Sequence, residues 1–230
     1  MKISISSDAV DPAVRAELES TLENHIGAVF NTALSAFGGG YGKETEIRGN
    51  TEINLTDNAD IIKVFGGGEM GVVTGNTAVN LKGGKSDAIY GGGFEGLVKG
   101  NTTVRLDGGT TEFAFGGACN ADIEGYAELL IGQNGNPTIT DEVFGGNDFG
   151  GQILGAGLHD AYGTDKVKSN TYVLYKNGTV EGGIYGGSYG SYDYTTSPFL
   201  DKAKEDGFYF PSFTTAVEQD GTAQIYSNSY

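Results

Sequence analysis

The side chains best suited to chemistry lie in a segment at about 152–168 that interrupts an otherwise regular pattern. It holds His159, Asp160, Tyr162 and Asp165. A histidine beside carboxylates suits a metal site or acid–base catalysis, and long loops on a rigid scaffold often carry function. Because no second histidine lies nearby, a purely decorative loop is the competing interpretation.

A tyrosine cluster, YGGSYGSYDYTT, follows this segment after a short interval. Exposed tyrosine rings stack on sugars and anchor protein interfaces, although packing in a core or cap is the simpler role. On a strand, Tyr192 and Tyr194 face the same way. The predicted ligand-binding residues are Tyr189, Tyr192, Tyr194, His159, Asp160 and Tyr162.

The charge of the chain limits its partners. The chain has 30 Asp and Glu against 14 Lys and Arg, and a formal net charge of −16. Such a surface repels a phosphate backbone, so nucleic acid is not an expected partner. The glycine–aspartate pattern of calcium-binding repeats is broken at 116–122 and 145–148, and Cys119 is the only cysteine. We therefore expect no metal site and no cofactor, apart from adventitious calcium.

The elements that must position these residues are repeats. Glycine supplies 40 of the 230 residues, more than double the usual share of roughly 7%. Two consecutive units of 25 residues, 65–89 and 90–114, align without a gap. An aromatic residue followed by two glycines recurs at Phe37, Phe65, Tyr90, Phe115, Phe144 and Tyr185. This recurrence predicts a solenoid.

Each unit contains a segment with the period of a β-strand. In 102–106, residues 102, 104 and 106 share one face, and Arg105 lies on the other. Two or three short strands separated by glycine turns predict one coil, stacked on the next at about 4.8 Å. Equivalent residues then form columns. We expect an aromatic column, and a column of Asn50, Asn76 and Asn101 that bonds along itself or to the turn backbone.

The order aromatic-Gly-Gly-Gly, Gly-Asn-Thr, alternating Val/Leu and Gly-Gly resembles the "YGGG…GNT" repeats of glycine-rich surface and adhesin-like proteins of gut bacteria. It is similar, more distantly, to pectate-lyase-like and autotransporter β-helices. The resemblance covers about 37–190. It implies an all-β, right-handed parallel β-helix, here of about six coils, and a cell-surface setting. It implies no catalytic residues, because the motif residues are architectural.

Three regions are expected along the chain. They are an N-terminal strand and capping helix (1–36), the solenoid repeats (37–196) and a C-terminal cap (197–230). Apolar residues recur every three or four positions within 11–36, which predicts an amphipathic helix that caps an open solenoid end or docks to a partner. The pair Asp220-Gly221 predicts a hairpin within the C-terminal cap.

The predicted function is non-enzymatic. We expect an extracellular or cell-surface structural or adhesive module that displays loops and a flat face to a host or cell-surface glycan or protein. The N-terminus lacks the apolar core of a signal peptide, so an export signal is expected to have been removed or to lie outside this chain. No apolar run reaches the roughly 18 residues of a membrane span, so membrane insertion is not expected.

Two alternatives stay open. The first is a subunit that binds copies of itself and forms a fibre through its ends. The second is a carbohydrate-active β-helix enzyme, a polysaccharide lyase or hydrolase. Such enzymes need two or more carboxylates on one face of adjacent coils. The outward positions of the Gly-Asn-Thr strands, such as Glu52, Ala78 and Thr103, form no acidic column, so catalysis is not predicted.

Overall fold

The structure is a computed structural model that describes residues 2–5, 35–160, 166–190, 215–219 and 224–225. All regular elements in these ranges are β-strands, so the predicted all-β class is confirmed. The helix expected within 11–36 lies outside the described residues, apart from residues 35 and 36, which belong to a strand. Within the described ranges, no helix is long and apolar enough to cross a membrane.

The strands are short, and most of them recur once per repeat unit. In chain order they are β1 (Lys2–Ile5), β2 (Ser35–Phe37), β3 (Glu46–Ile47), β4 (Thr51–Leu55), β5 (Asp60–Phe65), β6 (Val72–Val73), β7 (Thr77–Leu81), β8 (Lys85–Tyr90), β9 (Thr102–Leu106), β10 (Thr110–Phe115), β11 (Ala127–Ile131), β12 (Thr138–Ile139), β13 (Val143–Phe144), β14 (Gly157–Asp160), β15 (Lys166–Ser169), β16 (Thr171–Tyr175), β17 (Thr179–Val180), β18 (Ile184–Tyr185), β19 (Thr215–Gln219) and β20 (Gln224–Ile225).

The first sheet contains the Gly-Asn-Thr strands and runs β1-β4-β7-β9-β11-β16-β19. All neighbours are parallel and in register, so that Thr51, Thr77 and Thr102 form one column. The predicted alternation is confirmed in β9, where Thr102, Val104 and Leu106 are fully buried. These residues point into the solenoid, and the residues between them face outward.

The second sheet contains the strands that end in the aromatic residues. It runs β2-β5-β8-β10-β12-β17-β20, with β13 paired to β10 and β18. A third face begins with β3 and β6 and continues through single bridges between Val73, Val98, Ile123 and Ile153. The described residues thus form a parallel β-solenoid of about four turns, and the expected six coils are not confirmed.

Two polar columns stabilise the solenoid. The asparagine column joins successive coils, and the threonine column bonds across their interior. The predicted asparagine column is confirmed: the Oδ1 atoms of Asn50 and Asn76 accept hydrogen bonds of 2.8 Å from the next asparagine's backbone N–H. The threonines that follow donate across the interior to glycine carbonyls, as from Thr102 to Gly116 at 2.6 Å. In the bonds from Thr51, Thr77 and Thr102 both partners are buried, so these bonds satisfy groups that water cannot reach.

The prediction of a hairpin at Asp220-Gly221 is wrong. The strand β19 pairs with β16 and β20 pairs with β17, both in parallel, and the two strands belong to different sheets. They therefore add to the solenoid instead of pairing with each other. The reason is that an Asp-Gly pair favours a turn but does not specify whether the flanking strands pair with each other.

Candidate binding cleft on the aromatic face

The predicted aromatic column is confirmed, and it runs along the outside of the second sheet. Neighbouring rings are nearly parallel, with centroids 4.7 to 5.1 Å apart. On each strand the preceding residue, such as Ile89 before Tyr90, belongs to the solenoid core. Since adjacent residues on a strand point to opposite faces, the rings point outward. The column consists of Phe37, Phe65, Tyr90, Phe115, Phe144 and Tyr185.

A second column covers these rings. We call it the covering column; it consists of Phe94, Cys119, Asp148 and Tyr189, from the segments that follow the glycine clusters. Its backbone bonds to the preceding coil, as from Asp148 N–H to the Ala118 carbonyl at 2.9 Å. Phe94 meets Phe65 edge-on at 5.9 Å, and Tyr189 meets Phe144 edge-on at 5.1 Å. The aromatic column is therefore buried along most of its length.

A cleft of about 330 Å³ opens between the covering column and the second sheet. Its polar lining is acidic, with Asp87, Glu112 and Asp148 against Lys63. Its outer part is aromatic, because the rings of Phe149 and Tyr189 are 51% and 49% exposed. Ligand sites typically combine a concave apolar surface with a few convergent polar groups, and this cleft has that composition.

Asp148 lies at the buried end of the cleft and is only 5% exposed. Its Oδ2 atom accepts a 2.9 Å hydrogen bond from the Tyr90 hydroxyl and lies 3.9 Å from the Cys119 sulfur. Burial raises the pKa of the Asp148 carboxyl, although the Tyr90 hydrogen bond and Lys63 oppose this shift. Burial and the nearby Asp148 raise the pKa of Tyr90, and they raise the pKa of Cys119 to about 12. Tyr90 and Cys119 are therefore protonated at neutral pH.

The raised pKa of Asp148 predicts a pH dependence of stability. The folded state binds this proton more tightly than the unfolded state, whose carboxyl titrates near 3.8, so stability falls as pH rises through the interval between the two pKa values. Relative to Asp148→Asn, the wild type should lose about 1.4 kcal/mol for each unit by which the pKa is raised. Urea unfolding at a series of pH values measures this difference.

The control for that titration is Asp141→Asn, which removes one carboxylate from an exposed position. If the stability of Asp148→Asn runs parallel to that of the wild type across the whole pH series, burial does not govern the Asp148 carboxyl.

The insertion forms an antiparallel hairpin of β14 and β15 on the outer face of the first sheet. His159 fixes it there, 5% exposed, stacked on Tyr172 at 4.4 Å and edge-on to Tyr126 at 4.9 Å. Its Nδ1 atom lies 3.4 Å from Glu128 Oε1. Asp160 is exposed and pairs with Lys166. These contacts make His159 a packing residue that attaches the hairpin to the solenoid.

The predicted site residues do not come together. Tyr189 lines the cleft on the second sheet, whereas His159 and Asp160 lie on the hairpin over the first sheet. Tyr192, Tyr194 and Tyr162 lie outside the described residues. Within the described ranges, no group of three His, Cys, Asp or Glu side chains is arranged to hold a metal ion.

Sequence reasoning missed the acidic part of the cleft. Asp87 and Glu112 occupy the same position of the two gapless units, so their column was visible in the sequence. The outward positions of the first-sheet strands carry no such column. Asp148 likewise lies four residues after Phe144, the position that Cys119 holds after Phe115, but only the fold brings its carboxyl beside Tyr90.

No family model matches the chain, and the comparisons found no matching curated protein and no matching solved structure. Its resemblance to bacterial surface repeats therefore rests on the repeat motif itself.

Proposed function

We propose that this protein is a non-enzymatic, extracellular or cell-surface binding module that holds a glycan in the cleft on its aromatic face. In this proposal the solenoid is a right-handed parallel β-helix of about six coils with a cap at each end, like the surface repeats that it resembles. The observation that carries the proposal is the pair of half-exposed rings, Phe149 and Tyr189, at the edge of an acidic cleft.

The composition of the cleft suits a sugar. Aromatic rings pack against the apolar faces of sugars, and carboxylates accept hydrogen bonds from hydroxyl groups. Tyr189 is held edge-on against Phe144, and its N–H bonds to the Asn147 carbonyl at 2.9 Å. The N–H of Phe149 bonds to the Cys119 carbonyl at 2.8 Å. These hydrogen bonds fix the backbone at both residues, which lowers the conformational entropy lost when a ligand binds.

A glycan array followed by calorimetry on the best ligand tests the proposal. We expect the double variant Phe149→Ala/Tyr189→Ala to bind at least about tenfold more weakly, since truncation of an aromatic residue that anchors a ligand commonly costs more than 1 kcal/mol. Leu158→Ala is the matched control, because Leu158 is 69% exposed but lies on the hairpin over the first sheet. Absence of glycan binding, or equal affinity of all three proteins, overturns the proposal.

One observation favours the enzyme as a second candidate. Asp148, with its raised pKa, shares the cleft with the carboxyl group of Glu112. Glycoside hydrolysis uses such a pair, one carboxylic acid that protonates the leaving group and one carboxylate that acts as base or nucleophile. Release of new reducing ends from the bound glycan, lost in Asp148→Asn, would replace the non-enzymatic proposal with this one.

A further inference from the structure

We propose that the cleft selects a cationic glycan, one that carries free amino groups, through the carboxylates of Asp87 and Glu112. This inference rests on the proposed function, because it names the chemical class of glycan for the same cleft.

The two carboxylates form a pair along the solenoid axis. Asp87 on β8 and Glu112 on β10 share one register position, between the pairs Ser86–Thr111 and Ala88–Phe113. They are therefore one coil apart, about 4.8 Å between strands, and both are exposed. Like charges that face each other on neighbouring strands repel. A cation bound between them relieves this repulsion.

No salt bridge within the described part of the chain holds either carboxylate. Neither Asp87 nor Glu112 makes an ion pair or a side-chain hydrogen bond there. Lys63 is the lysine that lines the cleft, and its positive charge lowers the pKa values of Asp148 and Cys119. With three carboxyl groups and one lysine in its lining, the cleft keeps a negative potential, added to a formal net charge of −16 for the whole chain. Such a potential attracts an amine and repels glycans that carry uronic acids or sulfates.

The residues that follow the two carboxylates, Ala88 and Phe113, supply an apolar surface for the same cation. Phe113 follows Glu112 and lines the cleft half-buried, next to the small side chain of Ala88 in register with it. An ammonium group that lies over an aromatic ring gains cation–π attraction. A carboxylate pair next to an aromatic ring suits a sugar amine better than a hydroxyl.

Calorimetry with two trisaccharides of the same backbone tests this inference. The probes are the glucosamine trimer and the N-acetylglucosamine trimer, used below neutral pH, where the free amine is protonated, and with a chelator present. We expect the amine form to bind about tenfold more tightly, the effect of two exposed ion pairs and one cation–π contact. Asp87→Asn/Glu112→Gln should remove this preference, and the exposed-site control Glu124→Gln should keep it.

The outcomes separate this inference from the proposed function. Equal affinity for the two trimers, or a preference that survives in Asp87→Asn/Glu112→Gln, overturns selection by charge and leaves glycan binding intact. Calcium binding that this double variant abolishes, without any preference for the amine, assigns the pair to a metal ion and also overturns it. If no glycan of the array binds, the proposed function and this inference fail together.

Discussion

Gly91→Ala is expected to lower the free energy of unfolding by about 3 kcal/mol or more, the upper range for overpacking a core. A Cβ at this position would collide with the carbonyl oxygen of Gly116 in the next coil and lie 3.0 Å from the Thr102 Cβ. The backbone has no room to yield. The Gly91 N–H donates to the Phe115 carbonyl at 3.0 Å, and the Gly91 carbonyl accepts from Thr77 at 2.5 Å. Relief of the collision would break these bonds.

Gly42→Ala is the matched control, because a Cβ there meets no atom within 4 Å. Its effect should stay within about 0.5 kcal/mol, as for ordinary surface substitutions. Urea unfolding followed by circular dichroism measures both variants. If the two glycine variants lose the same stability, close coil-to-coil contact is not the reason for glycine at position 91.

Phe115→Ala should cost about 3–5 kcal/mol, the usual range for a buried phenylalanine that leaves a cavity. The ring is 3% exposed and stacks on Tyr90 at 4.8 Å and on Phe144 at 5.1 Å. Its removal takes away two ring contacts together with the buried area, and the neighbouring rings are fixed to strands that cannot close the gap. The cavity should therefore persist.

Thermal unfolding of Phe115→Ala beside Tyr41→Ala measures that cost. Tyr41 is 82% exposed, so its truncation removes an aromatic ring of similar size without creating a cavity. A near-ultraviolet circular dichroism signal that falls in Phe115→Ala but persists in Tyr41→Ala would identify the stacked column. Equal melting temperatures for Phe115→Ala and the wild type contradict a stabilising role for the column.

The columns were predictable from the sequence because the repeat aligns without gaps. Phe65, Tyr90 and Phe115 recur at the same interval. Because the coils stack in register, each of these rings must stack on the ring of the neighbouring coil. The asparagine column follows from the same reasoning. The burial of Thr102, Val104 and Leu106 was equally predictable, since the period of a strand assigns alternate residues to its inward and outward faces.

The cleft itself was not predictable, because it depends on how the segments after the glycine clusters cross between coils. The members of the covering column recur at a constant position, four residues after an aromatic residue, so their stacking was visible in the sequence. The sequence does not show that these segments fold back over the aromatic rings, because they lie outside the strands, where alternation assigns the faces. His159 shows the converse error. Its sequence neighbours suggested chemistry, but the fold buries it against Tyr172.

The gapless register of units 65–89 and 90–114 also bears on how such a gene changes. A duplication or deletion of 25 codons that starts at any point within the unit restores the same sequence of positions at its junction. Each added copy would continue the threonine, asparagine and aromatic columns together, without a new core having to evolve. Unequal recombination between the two copies is therefore structurally tolerated, and it changes the length of the protein, and of its columns, in steps of one coil.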